Sequence, residues 1–260
     1  MISTPLRPGR CAPHGSASTL LSESADRRDR IVTRVMGASF ALGSVGFALA
    51  PLNTYAERAG SHRDAVTYFI GSLLFTIGGA AQCALAWPER AKTGDGIWAW
   101  RTAWVQSVGT VMFNVMTFAG LHVDVGASDY NTLVWLPNLV GSICFLISAT
   151  FFYASSPRRG LTLERGHRGW WEPLVNGLGC VLFGVSAVAA FGVASTGRLL
   201  SAETADWTTT AGALCFLVMG LVALRTGHSF KVPRLRRLRR LEQVVEHEVV
   251  DVAEVVEREL

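Results

Sequence analysis

Charged residues are scarce in this sequence, at 17% of 260 residues, against roughly 25% in soluble globular domains. Charged residues and histidine are missing altogether from six long apolar stretches, at residues 35–52, 66–87, 102–121, 132–153, 173–194 and 207–224. The 50% hydrophobic content excludes disorder over most of the chain, because disordered segments combine low hydrophobicity with high charge. A helix crosses a bilayer with about 20 apolar residues. The sequence therefore predicts an all-α, polytopic membrane protein with six transmembrane helices.

Cysteines and catalytic motifs are also few. Five cysteines are scattered along the chain, and four of them (Cys83, Cys144, Cys180 and Cys215) fall inside apolar stretches. This pattern excludes a secreted module built on disulfides. The sequence has no Cys-x-x-Cys pair, phosphate-binding loop, Gly-x-Ser-x-Gly elbow or His-Glu-x-x-His motif. We therefore expect no catalytic or metal-ligating residues and no cofactor, and we predict that the protein is not an enzyme.

The 24 lysines and arginines are unevenly distributed around the six stretches. The two chain termini and the segments after the second and fourth stretches hold 21, and the other three connecting segments hold 3. Basic residues are enriched in cytoplasmic segments of membrane proteins. Because the basic residues are in excess at both termini and on every second connecting segment, the number of spans must be even. We predict a multi-pass protein of the bacterial inner (plasma) membrane with both termini in the cytoplasm.

This topology divides the chain into three regions. Residues 1–30 lack the apolar core of a secretory signal and are rich in Pro and Ser, so we predict a disordered cytoplasmic N-terminal tail. Residues 31–228 form the six-helix transmembrane domain, divided into helical hairpins at 31–90, 97–156 and 168–228. Residues 229–260 form a cytoplasmic basic and acidic helix.

A Gly and Phe motif recurs once in each apolar stretch. The glycine is followed directly by a small residue and, four positions on, by phenylalanine. The pairs are Gly43 and Phe47, Gly71 and Phe75, Gly109 and Phe113, Gly141 and Phe145, Gly179 and Phe183, and Gly212 and Phe216. Equivalent motifs in alternate stretches lie 66 to 71 residues apart. This spacing predicts three repeated hairpins of about 70 residues.

The motif predicts close packing between helices. A long side chain leans toward the helix N-terminus, so we expect each Phe to cover the Gly one turn earlier on its own helix. Small residues let neighbouring helices approach closely in lipid, where apolar burial gives no net drive. A collar of Phe residues that contacts a ligand is the alternative.

Paired spans with the Gly-Ser-x-x-Phe pattern, flanked by Arg and Trp, resemble the YrhK-like family of small bacterial membrane domains. The segments from Gly43 to Phe47 and from Gly71 to Phe75 are the most similar. Taken hairpin by hairpin, the resemblance covers about residues 34–224. It implies no catalytic residues and no known activity.

Five amides lie inside the stretches: Gln82, Gln106, Asn114, Asn138 and Asn176. The last four are the candidate interior polar residues. Buried amides in membrane helices usually form hydrogen bonds between helices. An alternative follows from the position three before each motif Gly. Alternate spans should place Phe40, Gln106 and Asn176 toward the cytoplasm, and Tyr68, Asn138 and Thr209 toward the outside. The bundle would then have two shallow polar vestibules separated by the six motif Phe residues.

The C-terminal segment is basic and then acidic. The candidate lipid-binding residues are Arg234, Arg236, Arg237, Arg239 and Arg240, and seven acidic residues follow them. Valines with 4-3-4 spacing predict one amphipathic helix. The basic half lies next to the membrane, so we expect it to bind anionic lipid and not nucleic acid. The acidic half is expected to pair with a protein partner or with itself. A solvated tail without function is the alternative.

Two functions are compatible with these features. The first is a non-enzymatic scaffold or accessory protein whose C-terminal helix binds a partner or lipid. The second is a passive pathway or carrier for a small neutral or lipid-like molecule. The absence of ionisable residues from the spans argues against ion-coupled transport, which normally needs one at depth.

Overall fold

A computed structural model of the protein describes residues 17–92, 94–155 and 171–226. Within these ranges the chain forms seven α-helices: α1 (Ala17–Leu49), α2 (Asn53–Ala59), α3 (Ser61–Ala86), α4 (Gly94–Ala119), α5 (Leu136–Ser155), α6 (Glu172–Ala189) and α7 (Ala202–Thr226). A 3-10 turn, Trp87–Glu89, follows α3, and a π-helical turn, Asn131–Trp135, precedes α5. Two short antiparallel strands, β1 (Gly192–Val193) and β2 (Arg198–Leu199), connect α6 to α7. The prediction of an all-α protein is confirmed.

The six long helices form a closed ring. Each of them contacts the next along the chain, and α7 returns to contact α1. Successive helices run antiparallel: from Ser72 to Cys83 along α3, the hydrogen-bond partners on α4 run backward from Thr117 to Ser107. The ring therefore has a tail end, where α1 begins and α7 ends, and a hairpin end, where α1 turns to α3, α4 to α5 and α6 to α7.

Five of the helical segments are long and apolar enough to cross a membrane: Glu23–Leu49, His62–Glu89, Asn131–Tyr153, Glu172–Ala189 and Ala202–Thr226. They correspond to five of the six predicted spans. The remaining one, residues 102–121, lies on α4, which is 26 residues long and is not among these five segments. Gln106 and Asn114 interrupt the apolar run of α4 and lower its hydropathy.

The outer surface of the ring is apolar. The aliphatic residue two positions after each motif Phe has 41–49% of its surface exposed in all six long helices. These residues are Leu49, Ile77, Val115, Ile147, Val185 and Val218. Large exposed apolar patches on a protein indicate an interaction surface or a membrane. The apolar outer surface agrees with the length and composition of the five apolar helices. Helix α4 contributes Val111 and Val115 to this surface.

Residues 17–30 differ from the prediction of a disordered tail, because α1 begins at Ala17 and continues without a break into the bundle. Two carboxylates stand four residues before arginines, Glu23 before Arg27 and Asp26 before Arg30. Such pairs stabilise a helix. Extending an existing helix also avoids the unfavourable nucleation step. The remainder of that predicted tail, residues 1–16, lies outside the described residues.

Two boundaries at the hairpin end also differ from the predicted spans. Helix α6 ends at Ala189 although the apolar stretch continues to residue 194, because Gly192 and Val193 pair with β2. Before α5, the backbone widens into the π-helical turn. Pro137 follows this turn and has no N–H to donate to an earlier carbonyl. The π-helical conformation occurs mostly as single turns of this kind within α-helices.

Candidate functional site

The six motif Phe side chains meet at the centre of the ring. Each has between 1% and 4% of its surface exposed. We call them the Phe core: Phe47, Phe75, Phe113, Phe145, Phe183 and Phe216. Their rings therefore fill the middle of the bundle with apolar carbon.

The Phe core has two layers. Phe47, Phe113 and Phe183 form a triangle with ring-centroid distances of 5.8, 5.9 and 6.4 Å. In the second layer Phe216 lies 6.0 Å from Phe75 and 5.6 Å from Phe145. Tilted and edge-to-face contacts at such distances are favourable for aromatic rings.

Each motif Phe packs against the motif Gly of its hairpin partner, and not against its own Gly as the sequence predicts. A Cβ atom on Gly109 would lie 2.7 Å from Phe145, and one on Gly141 would lie 2.9 Å from Phe113. The same reciprocal contact links Gly71 to Phe47 at 2.9 Å. The prediction was wrong because the two glycines of a hairpin face each other. The Phe side chain four residues after each Gly therefore contacts the Gly backbone of the partner helix.

The third hairpin has the same reciprocal glycine contacts, one of them longer. A Cβ atom on Gly212 would lie 2.7 Å from Phe183, and one on Gly179 would lie 3.3 Å from Phe216. Contacts below 3.0 Å require a neighbour to move. The motif glycines thus bring the helices of all three hairpins into backbone contact.

A small cavity of about 20 Å³, enough for roughly one water molecule, lies between the Phe core and the tail end. All six long helices contribute to its wall, so it lies on the axis of the ring. We call it the axial cavity. Its apolar wall consists of Phe40, Phe152, Phe216 and Met219. Phe216 forms its floor and belongs to the Phe core.

Four polar side chains complete the wall of the axial cavity: Gln82, Thr102, Gln106 and Asn176. Gln106 is 7% exposed, and its Oε1 accepts a hydrogen bond from Ser148 Oγ at 3.3 Å. Asn176 Nδ2 lies 3.9 Å from Cys180 Sγ, which is a weak contact. None of the described residues in this wall is ionisable, so the axial cavity is neutral.

Two buried oxygens of the axial cavity have no hydrogen-bond partner within the described part of the chain. Gln82 is 8% exposed and its Oε1 is unpaired, and Thr102 is 5% exposed and its Oγ1 is unpaired. A buried group without a partner costs about 1–3 kcal/mol.

The four candidate interior amides are divided between three places. Gln106 and Asn176 line the axial cavity together with Phe40. Asn114 does not, because its Nδ2 donates to Thr76 Oγ1 at 2.8 Å and connects α4 to α3. Asn138 is half-buried near the hairpin end and does not line the axial cavity.

Thr102 was not predicted as a site residue, and Gln82 was predicted only as an amide that bonds between helices, although both positions carried a signal. Gln82 follows Phe75 by seven residues, and Thr102 precedes Gln106 by four. Both spacings place the side chains on the same helical face as a core residue. The sequence does not indicate that α3 and α4 present these faces to one cavity.

The hairpin end is joined by polar contacts between α5 and the loop after α6. Trp135 Nε1 donates to the Ala187 carbonyl at 2.9 Å, and Tyr130 Oη donates to the Ala190 carbonyl at 3.3 Å. Burial raises the pKa of the Tyr130 phenol above its usual value of 10.0. Tyr130 therefore stays a hydrogen-bond donor over the whole physiological range.

Other candidate chemistry is not assembled in the described residues. They contain no group of three or more His, Cys, Asp or Glu side chains that could hold a metal ion. The candidate lipid-binding residues Arg234, Arg236, Arg237, Arg239 and Arg240 lie outside the described ranges.

No family model matches the chain, and neither a curated protein nor a solved structure matches it. The resemblance of the Gly-Ser-x-x-Phe pattern to the YrhK-like family therefore stays a prediction.

Proposed function

We propose that the chain is a non-enzymatic integral membrane protein that serves as a scaffold or accessory protein. The observation that carries the proposal is the Phe core, whose six buried rings fill the centre of the ring of helices. A bundle closed in this way suits an anchor better than an open channel. Residues 229–260 would then bind a protein partner or anionic lipid on the cytoplasmic side.

The proposal includes α4 as the sixth membrane span. Helix α4 packs between α3 and α5 in the ring. Its outer residues Val111 and Val115 are 45% and 46% exposed, as expected for a surface in contact with lipid. Six spans would place both termini on the same side. With the excess of basic residues at the tail end, that side is the cytoplasm of a bacterial inner membrane.

Aromatic and basic side chains at the tail end support this orientation. The Arg90 guanidinium lies 3.2 Å from the centre of the Trp87 ring, and that of Arg101 lies 5.0 Å from the Trp98 ring. Tryptophan is enriched at membrane–water interfaces and basic residues on the cytoplasmic side. These pairs therefore fit the boundary between lipid and cytoplasm.

We also propose that the domain consists of three copies of one hairpin. The support is that the reciprocal contact of Gly with the partner's Phe occurs in α1 with α3, in α4 with α5 and in α6 with α7. The proposed resemblance to YrhK-like domains rests on the same hairpin.

Solute flux through proteoliposomes tests whether the bundle is closed. We expect liposomes containing the full-length protein to admit glycerol and urea no faster than protein-free liposomes, measured by stopped-flow light scattering. The Phe183→Ala variant removes a ring that contacts four others of the Phe core. A clear increase in flux in that variant alone would support the Phe core as the seal.

A passive pathway for a small neutral molecule is the second candidate function. The axial cavity favours it, because this cavity is neutral, reaches the centre of the bundle and ends on Phe216. Passage would require the Phe core to part. Flux of a neutral solute through the wild-type protein above the protein-free rate would replace the scaffold proposal with this one.

Cross-linking in cells tests the role of the C-terminal segment. We expect the full-length chain to cross-link to a partner or to itself, and a chain ending at residue 228 to lose that product. Identical products from both chains would contradict the scaffold proposal.

A further inference from the structure

We infer that the tail end of α4 binds the phosphate of an anionic phospholipid through the Arg101 guanidinium and the two tryptophans that flank it. We call Trp98, Arg101 and Trp104 the headgroup site. The inference rests on the proposed role of α4 as a membrane span, and it adds a ligand class to that span.

Helix α4 has a single basic residue, and it lies on the outer face of the helix. The exposed side chains of this face follow one another at spacings of three, four or seven residues, which places them on one side of a helix. They are Trp98, Arg101, Trp104, Val111, Val115 and Phe118. The apolar part of the face suits lipid chains, and Arg101 stands at its tail end between two tryptophans.

Arg101 lies at the level expected for lipid phosphates. Val111 is midway between Gly109 and Phe113, at the level of the Phe core. With a rise of 1.5 Å per residue, Arg101 lies about 15 Å from Val111 along the helix axis. Half the hydrocarbon core of a bilayer is also about 15 Å thick. With the Phe core at the midplane, Arg101 is therefore at the boundary where the headgroups begin.

Aromatic contacts hold the Arg101 side chain in place. Its guanidinium carbon lies 5.0 Å from the centre of the Trp98 ring. That ring packs edge-on against Phe151 of α5 at a centroid distance of 5.4 Å. A cation this close to a tryptophan ring is attracted by it. The N–H groups at the edge of the guanidinium stay available to an anion.

Arg101 has no carboxylate partner within the described part of the chain. The ion pair at the turn between α3 and α4 joins Lys92 to Glu89 at 3.3 Å and does not include Arg101. A charge at the edge of an apolar region is costly without a paired anion. At this level the membrane supplies phospholipid phosphates, which arginine binds through paired N–H groups.

The arginine departs from the pattern of the three hairpins. Arg101 stands eight residues before the motif Gly of α4, and the equivalent residues are Val35 in α1 and Trp171 before α6. Val35 is exposed, like Arg101. Packing that is common to the three hairpins therefore does not require an arginine here, which points to a role of α4 alone.

Arg90 adds a second cation at the same end of the ring. Its guanidinium lies 3.2 Å from the centre of the Trp87 ring, and that ring packs against Trp100 of α4 at 4.9 Å. Basic residues at a membrane surface attract anionic lipid. Two arginines at one corner favour a lipid with net negative charge over a zwitterionic lipid, whose ammonium group they repel.

Native mass spectrometry of the full-length protein in detergent tests the headgroup site. The probe is dioleoylphosphatidylglycerol, and dioleoylphosphatidylcholine is the control with the same chains. The five arginines at residues 234–240 are replaced by Gln in every sample, so that the C-terminal segment contributes no second site. We expect the first phosphatidylglycerol to bind about five times more tightly than the first phosphatidylcholine, or better.

Three variants in this background assign the binding to Arg101. Arg101→Gln should weaken phosphatidylglycerol binding about fivefold, the factor that corresponds to the attraction of one basic residue. Arg101→Lys keeps the charge and should retain most of the binding. Arg225→Gln, at an exposed arginine in the last turn of α7 at the same end, is the matched control and should bind like the parent protein.

Equal affinity for the two lipids would overturn the inference. Equal losses in Arg101→Gln and Arg225→Gln would overturn it as well, because they indicate diffuse attraction to the whole tail end. A reporter fusion after Gly126, between α4 and α5, tests the membrane span independently. If α4 crosses the membrane and the lipids bind equally, only the headgroup site is wrong. If α4 does not cross, the proposed sixth span is wrong and the headgroup site with it.

Discussion

Asn131 and Gly192 hydrogen-bond to each other twice, although 61 residues separate them. Asn131 Nδ2 donates to the Gly192 carbonyl at 2.7 Å, and the Gly192 N–H donates to Asn131 Oδ1 at 2.9 Å. The side chain thus pairs with the backbone as a neighbouring strand would. The contact connects the π-helical turn before α5 to the loop between α6 and α7. It therefore holds the second and third hairpins together at the hairpin end.

Asn131→Ala removes both hydrogen bonds, so we expect a lower free energy of unfolding by about 1–3 kcal/mol. Asn131→Asp keeps the acceptor and loses the donor, so its loss should be smaller. Thermal unfolding in nanodiscs, followed by tryptophan fluorescence, measures both. If Asn131→Ala and the wild type have the same midpoint of thermal unfolding, the pair of hydrogen bonds does not stabilise the hairpin end.

Gly109→Ala places a methyl group 2.7 Å from Phe145 and 2.9 Å from the Gly141 carbonyl. Overpacking of this kind typically costs 1–3 kcal/mol, and we expect a loss of about that size. Gly177→Ala is the matched control in another helix, because its Cβ would meet no described atom within 4 Å. It should leave stability unchanged or raise it slightly. Equal effects at the two positions would contradict the close contact.

A double-mutant cycle identifies which Phe each motif Gly contacts. We expect Gly109→Ala to be non-additive with Phe145→Ala, with a coupling of about 0.5–3 kcal/mol, because removing that ring removes the clash. Coupling to Phe113→Ala, on the same helix as Gly109, should be smaller. A larger coupling of Gly109→Ala to Phe113→Ala would instead support packing of each Phe on the Gly of its own helix, as the sequence predicts.

Reporter fusions test whether α4 crosses the membrane. Fusions after Arg90 and after Arg225 should both report the cytoplasm, and a fusion after Gly126, between α4 and α5, should report the opposite side. If Arg90 and Gly126 report the same side, α4 is not a span and both termini cannot share one compartment.

The basic C-terminal run is expected to bind anionic lipid. Replacing Arg234, Arg236, Arg237, Arg239 and Arg240 with Gln should remove about 1 kcal/mol of attraction per residue, reduced by salt. Proteolysis of the tail in nanodiscs with and without anionic lipid measures the effect. The wild-type tail should be protected from proteolysis only in nanodiscs that contain anionic lipid. The variant tail should be cleaved equally in both kinds of nanodisc. Protection that does not depend on lipid charge would exclude the lipid interaction.

The sequence alone determined the features that depend on local order along one helix. Apolar runs without charge identified the long helices, and the spacing of Gly and Phe identified the residues that become the Phe core. Each of these features follows from which residues share a face of a helix. That property needs no information about neighbouring helices.

Only the tertiary structure decided which faces meet. The Phe side chain of each hairpin helix lies on the partner's Gly, because two bare backbones approach and leave room for a ring from the opposite helix. Gln82 joins Gln106 at one cavity, and Asn114 pairs with Thr76 instead. The helix rotations that separate these outcomes are set by close packing around the whole ring. The spacing of residues within a single apolar stretch gives no information about these rotations.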